Sequence, residues 1–349
     1  MFLHSASELR HDPIQKRWVI IAPERGGRPD NFTVRSEFIA QAHQERYKES
    51  CPFCIGNEAM TPPEILALRS SDERDWRIRV VPNAFPALRV EPDDLGRSAV
   101  GLYDRMNGIG AHEVVIETPE HNVGMTDLSQ DHLADLFRVY RDQMTDLMGD
   151  ERLRHVLIFK NHLSSAGASL VHSHSQIIAT PIEPQTIATE LESAQSHYRV
   201  KERCLVCDII EQEVSCGDRI IYDDGVFLVF APYASRFPFE MMIVPRNHSH
   251  QYGDVSDDDL LRLARCMHIV LNRLNRTLSD PPFNFVIHSA PNVNGAPINT
   301  DRWANLKYDF HWYIEMFPRL TSVAGFETGA GFYINPTPPE DVAEFLRKI

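Results

Sequence analysis

Residues 155–180, HVLIFKNHLSSAGASLVHSHSQIIAT, carry the pattern that decides the fold. Alternating apolar side chains at both ends of this stretch predict two strands, joined by a loop of small residues and hydroxyls. A helix is predicted just before it, over residues 131–148, because apolar side chains recur there at helical spacing. The alternation in the strands is typical of half-buried, mostly antiparallel sheet.

The same order of elements occurs twice along the chain. In the first half, the pair Cys51 and Cys54 precedes two predicted strands, the helix and the two strands described above. In the second half, the pair Cys204 and Cys207 precedes two strands, a helix predicted over residues 260–278, and strands at FNFVIHSAP and DFHWYIEMFP. The repeat predicts an α+β protein built from two similar units.

Length and composition agree with two units and limit the partners. At about 150 residues per domain, 349 residues suggest two domains, which we place at residues 1–200 and 201–349. A hydrophobic share of 43% excludes wholesale disorder, and a net charge of −14 argues against nucleic acid or an anionic membrane as partner. No apolar run approaches the length of a membrane span and no signal peptide is recognisable, so we expect a cytoplasmic enzyme.

Four of the six cysteines lie in the two Cys-x-x-Cys pairs, which indicates metal binding or redox chemistry rather than a disulfide framework. A redox pair is expected at the start of a helix. Residues 55–58, which follow Cys54, instead have the composition of a turn, and this favours zinc. Tetrahedral zinc takes four nitrogen or sulfur ligands, so each pair needs two more.

The repeat nominates two histidines for each pair. The predicted ligand sets are Cys51, Cys54, His121 and His172 in the first half and Cys204, Cys207, His248 and His311 in the second. His250 or His288 could replace His248. Any one of these histidines alone would more often be an ordinary, partly buried side chain. Because both halves fill the same places, we expect two zinc ions per chain, with a structural role since four protein ligands leave no position for water.

His174 is the candidate nucleophile. It lies two residues after His172 on the predicted strand, so both side chains are expected on one face. A backbone carbonyl that accepts the Nδ1 proton would leave Nε2 free to attack. Gln176 on the same face, and Ser169 in the loop, could donate to a phosphate oxygen. The second half has Tyr313 at this place, and an H-x-H pair alone could equally be two metal ligands or a solvated face.

These motifs resemble the galactose-1-phosphate uridylyltransferase family of the histidine triad superfamily, over nearly the whole chain. The resemblance is carried by PERGGRP at 23–29, the first Cys-x-x-Cys pair, VPNAF at 81–85, PEH at 119–121, and FKN followed by GASLVHSHSQ within 159–176. Ser173 stands where the family usually has proline, and Tyr313 where uridylyltransferases have a histidine of a second metal site. The second Cys-x-x-Cys set and residues 324–336 look closer to plant ADP-glucose phosphorylase, a relative in the same family.

The resemblance implies two tandem histidine-triad-like domains, each a mostly antiparallel sheet with packed helices. It implies that a nucleoside monophosphate passes from a nucleoside diphosphate sugar to a sugar 1-phosphate through a covalent nucleotidyl-His174, as in the uridylyltransferases of galactose metabolism. The residues that it suggests for substrate binding are Arg25, Arg28, Asn83, Phe85, Asn161 and Glu327. It also implies a homodimer.

Three other interpretations remain open at this point. One is an ADP-glucose phosphorylase, with inorganic phosphate as the acceptor. Another is a nucleotide hydrolase, in which water resolves the intermediate. The third is a non-enzymatic zinc scaffold, against which the lone His174 beside a metal site argues.

Overall fold

The structure is a computed structural model, and it describes residues 6–26, 45–69, 75–91, 93–294 and 303–349. Arg28, one of the predicted substrate-binding residues, lies outside these ranges. The strands in the described ranges are β1 (Glu8–Asp12), β2 (Arg17–Ile21), β3 (Leu66–Arg69), β4 (Trp76–Pro82), β5 (Ser98–Val100), β6 (Tyr103–Arg105), β7 (Ala111–Ile116), β8 (His155–His162), β9 (His174–Thr180), β10 (Ile220–Asp223), β11 (Phe227–Phe230), β12 (Met241–Pro245), β13 (Phe283–His288), β14 (Tyr313–Pro318) and β15 (Tyr333–Asn335).

The helices in the same ranges are α1 (Gln130–Met148), α2 (Gln185–Lys201), α3 (Leu205–Cys216), α4 (Asp257–Leu278), α5 (Leu306–Asp309), α6 (Gly325–Ala330) and α7 (Pro339–Arg347). None of these helices combines the length and the apolar character that crossing a membrane requires. Together, these strands and helices make the fold α+β, as predicted from the repeat.

One large sheet runs through the described part of the chain. Its ten strands lie in the order β10-β11-β12-β14-β13-β8-β9-β7-β4-β3, and neighbouring strands are antiparallel. The two halves of the chain meet at β8 and β13, where Phe159 is opposite Val286 and Asn161 is opposite Asn284. Counted outward from this pair, both halves have the same strand order, so the repeat in sequence is also a repeat in topology.

The chain termini are tied together in a smaller sheet. Strand β1 pairs antiparallel with β2, and β15 pairs parallel with β2. Strands β1 and β2 belong to the predicted first domain, but β2 pairs with β15, which belongs to the predicted second domain. The division into two histidine-triad-like domains at residue 200 stays a prediction, since a single sheet runs through both halves.

Helices α1 and α4 cover one face of the large sheet. Their apolar sides share a core with strand residues such as Ile158, Ile177 and Ile287. Both helices begin with a serine N-cap: Ser129 Oγ accepts from the His132 N–H, and Ser256 Oγ accepts from the Asp259 N–H. This cap makes α4 begin at Asp257, before the predicted residue 260.

The opposite face of the sheet carries side chains that the sequence analysis predicted for the active site. In β9, Ile177 and Ala179 point into the helix-covered core, so His174 and Gln176 face the other side. Strand β9 begins only at His174, and the prediction that His172 lies within this strand was wrong. A second difference is that Cys204 is the N-cap of α3, a helix that the sequence analysis did not anticipate.

Candidate active site and metal centres

The first Cys-x-x-Cys pair lies beside two histidines. The Cys54 Sγ is 3.5 Å from Nδ1 of His121, and the Cys51 Sγ is 3.6 Å from Nδ1 of His172. All four ligand atoms lie within 4.8 Å of one another. Zinc–sulfur and zinc–nitrogen bonds of about 2.3 and 2.0 Å give ligand separations of this size, so the group could hold a tetrahedral metal ion.

The orientation of His172 fits this use. Its Nε2 donates to the carbonyl oxygen of Thr118 at 2.7 Å, which leaves Nδ1 unprotonated and directed at the cysteines. Metal-binding histidines are commonly fixed in this way by a carbonyl or a carboxylate. His172 is fully buried, and a buried imidazole without a charged partner favours its neutral, ligating form.

The second pair forms an equivalent group in the other half. Cys207 Sγ is 3.4 Å from Nδ1 of His248 and 3.5 Å from Nδ1 of His311, and Cys204 completes the group. The Nε2 atoms of the two histidines donate to the carbonyl oxygens of Lys307 and Pro245. Among the alternatives that the sequence left open, His248 is therefore the histidine that the structure places in this group.

His174 lies directly after the first group, at the beginning of β9. Its Nδ1 lies 2.8 Å from the carbonyl oxygen of His172, so Nδ1 carries the proton and Nε2 carries the lone pair. Phe53 packs against its ring at 5.4 Å between centroids. Burial lowers the pKa of His174, which keeps the ring neutral. This tautomer is the one that nucleophilic attack through Nε2 requires.

A buried ion pair supports the backbone of His174. The Lys160 ammonium lies 2.6 Å from Glu117, and it also donates to Ser173 Oγ and to the carbonyl of His174, each at 3.1 Å. Ser173 Oγ donates to the same Glu117 carboxylate at 2.6 Å. Ser173, the residue at the family's usual proline position, thus joins His174 to this pair.

The interactions of Glu117 favour its charged form. Burial would raise the pKa of the Glu117 carboxyl, but the Lys160 ammonium and the hydrogen bonds from Lys160 and Ser173 outweigh burial and lower it. Sequence reasoning gave neither residue a role, although Lys160 is part of the FKN motif. The available signal was Lys160 at an inward position of β8, in line with the buried Val156 and Ile158, where a lone charge requires a buried partner.

Gln176 lies on the same face as His174 and is half-buried. Its Oε1 is 2.8 Å from Nε2 of His112 on β7. The same histidine is in contact with the loop after β4, because the Ala87 N–H donates to its Nδ1 and Asn83 Nδ2 lies 3.1 Å from its Nε2. The structure thus brings together Asn83 and Gln176, which were predicted separately, through a residue that the sequence analysis did not single out.

The other predicted binding residues lie on loops and strand ends. Asn161 Oδ1 accepts from Asn284 of the second half at 2.8 Å. Ser169, Arg25 and Phe85 are exposed, and Phe85 retains 91% of its accessible surface. Glu327 is used locally, since its carboxylate accepts from the Ala324 N–H at the start of α6.

The second half has a different set of side chains at the place of His174. Tyr313 stacks on His288 with 4.4 Å between ring centroids, and His288 lies 2.9 Å from Glu190. Glu315, at the place of Gln176, pairs with Arg236 at 2.6 Å. Burial would lower the pKa of His288, but the neighbouring Glu190 and Glu315 raise it to about 9. This place is filled by buried charges that pair with one another.

Comparison with known proteins connects this architecture to one enzyme family. The profile of the galactose-1-phosphate uridyl transferase N-terminal domain matches residues 3–184, and a domain of unknown function, DUF4921, matches residues 110–348. An ADP-glucose phosphorylase from Arabidopsis thaliana is 33% identical over 99% of this chain and 94% of its own length. A galactose-1-phosphate uridylyltransferase from Thermotoga maritima is 26% identical over 98% of both chains.

A solved structure agrees with the sequence comparison. The crystal structure of an ADP-glucose phosphorylase from Arabidopsis thaliana with bound ADP-glucose is 30% identical, covers 99% of each chain and has a TM-score of 0.82. The protein is thus a nucleotidyltransferase enzyme, the class to which both kinds of named relative belong. More particularly, the chain belongs to the galactose-1-phosphate uridyl transferase family.

Proposed function

We propose that the protein transfers a nucleoside monophosphate from a nucleotide sugar to a phosphate-bearing acceptor through a covalent bond to His174. The observation that carries the proposal is the hydrogen bond from Nδ1 of His174 to the His172 carbonyl. This bond fixes the tautomer with a lone pair on Nε2. The Lys160 ammonium also donates a hydrogen bond to the backbone carbonyl of His174.

In the first step, the Nε2 lone pair attacks the α-phosphorus of the nucleotide sugar. The phosphorus–nitrogen bond forms as the bond to the bridging oxygen breaks, and the sugar 1-phosphate leaves with that electron pair. In the second step, a phosphate oxygen of the acceptor attacks the same phosphorus, and the nitrogen leaves with its pair. The phosphate that leaves in the first step is stable as an anion, and the imidazole that leaves in the second step is neutral, so neither step needs a strong general acid.

The remaining predicted residues have roles that suit this chemistry. The Gln176 amide and Ser169 would donate to the non-bridging oxygens of the α-phosphate, where charge develops. Asn161 would help hold that phosphate, and Arg25 and Arg28 would approach the charged groups of the substrates. Asn83 and Phe85 would form part of the nucleoside pocket, for which an exposed aromatic ring is suited because it can stack on a base. Glu327 stays a proposed substrate contact.

Two zinc ions per chain fit the two Cys₂His₂ groups. Zinc held by Cys51, Cys54, His121 and His172 would have no open coordination position, so it would supply rigidity rather than Lewis acidity. His172 would then hold the carbonyl that orients His174. The second ion would be held by Cys204, Cys207, His248 and His311, in the half that lacks the nucleophile.

Two donor and acceptor pairs suit the same mechanism. Uridylyl exchange between UDP-glucose and a hexose 1-phosphate is the reaction that the family name suggests. Phosphorolysis of ADP-glucose is supported by the similarity to the Arabidopsis enzyme, at 33% identity over nearly full length. We also propose a homodimer, from the family resemblance, and a cytoplasmic location, which is the expectation stated in the sequence analysis.

The test measures products with each donor. Without an acceptor, we expect a burst of one sugar 1-phosphate per active chain and then no turnover. Addition of inorganic phosphate after ADP-glucose, or of galactose 1-phosphate after UDP-glucose, should restart turnover and so identify the physiological pair. Continuous release of nucleoside monophosphate without acceptor would instead establish a hydrolase. The absence of sugar 1-phosphate with both donors would refute the proposed transfer.

A further inference from the structure

A histidine outside the predicted site connects two parts of it. His112 lies on β7 and faces the same side of the sheet as Gln176, because β7 and β9 pair with Val114 opposite Gln176 and His112 opposite Ile178. Its Nε2 is 2.8 Å from Gln176 Oε1. Its backbone carbonyl also accepts from the Asn83 N–H at 2.8 Å. His112 thus contacts both the phosphate-binding candidate and the loop proposed to bind the nucleoside.

Two backbone N–H groups determine which atoms donate in this cluster. The Ala87 N–H donates to Nδ1 of His112 at 3.2 Å, and a backbone amide can only donate. Nδ1 must therefore accept, so in the neutral ring the proton lies on Nε2. The Phe85 N–H likewise donates to Asn83 Oδ1 at 2.9 Å, which directs the Asn83 NH₂ group toward His112.

The proton on Nε2 of His112 then has one suitable acceptor among its contacts. Asn83 Nδ2, at 3.1 Å, is itself a donor and cannot take this proton. Gln176 Oε1 can, and this requires the carbonyl end of the Gln176 amide to face His112. The NH₂ end of Gln176 is left for another acceptor on the side where a substrate phosphate would lie.

We infer that His112 is a positioning residue, which holds the Gln176 amide with its NH₂ group toward the α-phosphate and links this orientation to the loop of Asn83–Ala87. The inference rests on the proposed function, because the proposed transfer is what requires Gln176 to donate a hydrogen bond to a phosphate. A free glutamine amide could present either end, and its carbonyl oxygen would repel a phosphate oxygen. A fixed donor requires no reorientation when charge develops on the phosphate.

The test uses two substitutions at the same position. His112→Leu removes the donor, and His112→Gln keeps an amide N–H at about the reach of Nε2. We expect the single-turnover rate of nucleotide transfer to the protein, at saturating donor, to fall about tenfold or more in H112L, in line with the loss of an oriented donor. H112Q should restore the rate to within about threefold of the parent. Thermal unfolding and zinc content are measured for both variants.

A double-mutant cycle separates positioning from general structural support. If His112 acts through Gln176, H112L should lower the rate less than about twofold further in a Q176A background. An undiminished effect of H112L in that background, or a parent-like rate in H112L alone, would overturn the inference. The failure of the proposed function has a different signature, because then the parent protein itself would show no nucleotide transfer to His174.

Discussion

The two halves of the sheet place equivalent Cys₂His₂ groups on one scaffold, yet one half has His174, the proposed nucleophile, beside its group and the other has Tyr313. Beside the first group, His174 is neutral, with a fixed tautomer and a half-buried amide next to it. Beside the second group, Tyr313 is stacked on a charged His288 among carboxylates. The same fold thus supports a buried histidine with a lone pair on Nε2 in one half and a cluster of paired charges in the other.

The difference shows that the Cys₂His₂ group alone does not define the active site. What distinguishes the first half is the support given to the strand that begins at His174, namely the His172 carbonyl and the Lys160–Glu117 pair. The second half uses its buried charges to hold strands together. Substitutions at equivalent places in the two halves should therefore affect different properties.

The largest contrast is expected at the pair His174 and Tyr313. His174→Ala should lower nucleotide transfer by about four orders of magnitude or more, because it removes the nucleophile. Tyr313→Phe should leave the rate within about threefold of the parent, since the hydroxyl that it removes is hydrogen-bonded to Glu190 and has no part in the proposed transfer. Rapid-quench measurement of sugar 1-phosphate release tests both. Comparable losses in the two variants would contradict the assignment of the reaction to one half.

Substitutions in the two Cys₂His₂ groups should likewise differ in their effect on the transfer rate. Cys51→Ser should lose one zinc ion per chain and lower transfer about 10- to 100-fold, because His172 then holds the His174 region less firmly. Cys204→Ser should also lose one ion, and its transfer rate should fall far less. Elemental analysis and rate measurements on the same samples check this prediction. Retention of two ions in C204S would rule out the second metal site.

Buried ion pairs provide the next comparison. Lys160→Met leaves the Glu117 carboxylate buried without its partner, which should cost about 3–5 kcal/mol of unfolding free energy. Arg236→Met should destabilise by a similar mechanism in the second half, where Arg236 pairs with Glu240 and Glu315. Urea unfolding gives both values. Only K160M should also slow transfer, and an equal slowing by R236M would show that Lys160 has no special link to His174.

A second substitution in the K160M background shows whether stability is lost through the unpaired charge of Glu117 or through lost packing of Lys160. Glu117→Gln in the K160M background removes the uncompensated carboxylate and should recover part of the lost stability. No recovery would mean that the Lys160 side chain stabilises mainly through packing. The double variant is compared with the parent by the same urea titration.

The smallest effect is a pH dependence that arises at His288 in the second half. Glu190 and Glu315 raise the pKa of His288 from 6.5 to about 9 against the opposing effect of burial, and the neighbouring Tyr313 and Arg236 complete the cluster. A raised pKa stabilises the fold fully below pH 6.5, and this contribution is lost as the pH rises through about 9. Unfolding titrations from pH 6.5 to 9.5 should show this decline, and His288→Gln should flatten it. A parent without the decline would contradict a charged His288.

Much of the scaffold could be predicted because its signals are local. Apolar alternation located eight of the ten strands of the large sheet, and helical spacing located α1 and α4. The repeat of Cys-x-x-Cys pairs matched each pair with the histidines that the structure groups with it. His174 was singled out because it lies two residues after His172, not from the repeat, which has Tyr313 at that place. These features depend on residue type and spacing, which the sequence contains.

The unpredicted features depend on contacts between distant segments. Lys160 meets Glu117, which is 43 residues away in sequence, and Gln176 meets His112, which is 64 residues away. Sequence spacing cannot identify such partners until the order and register of β7, β8 and β9 are known. The helix at Cys204 was missed because the first pair, which is followed by a turn, served as the pattern for both.

The most direct test of the account is to find where the nucleotide binds covalently. The protein is mixed with a labelled nucleotide sugar without acceptor, quenched at alkaline pH to preserve a phosphorus–nitrogen bond, digested and analysed by mass spectrometry. The account predicts one nucleoside monophosphate on the peptide that contains His174, and none on the peptide that contains Tyr313. Label on another residue, or turnover with no modified peptide, would contradict it.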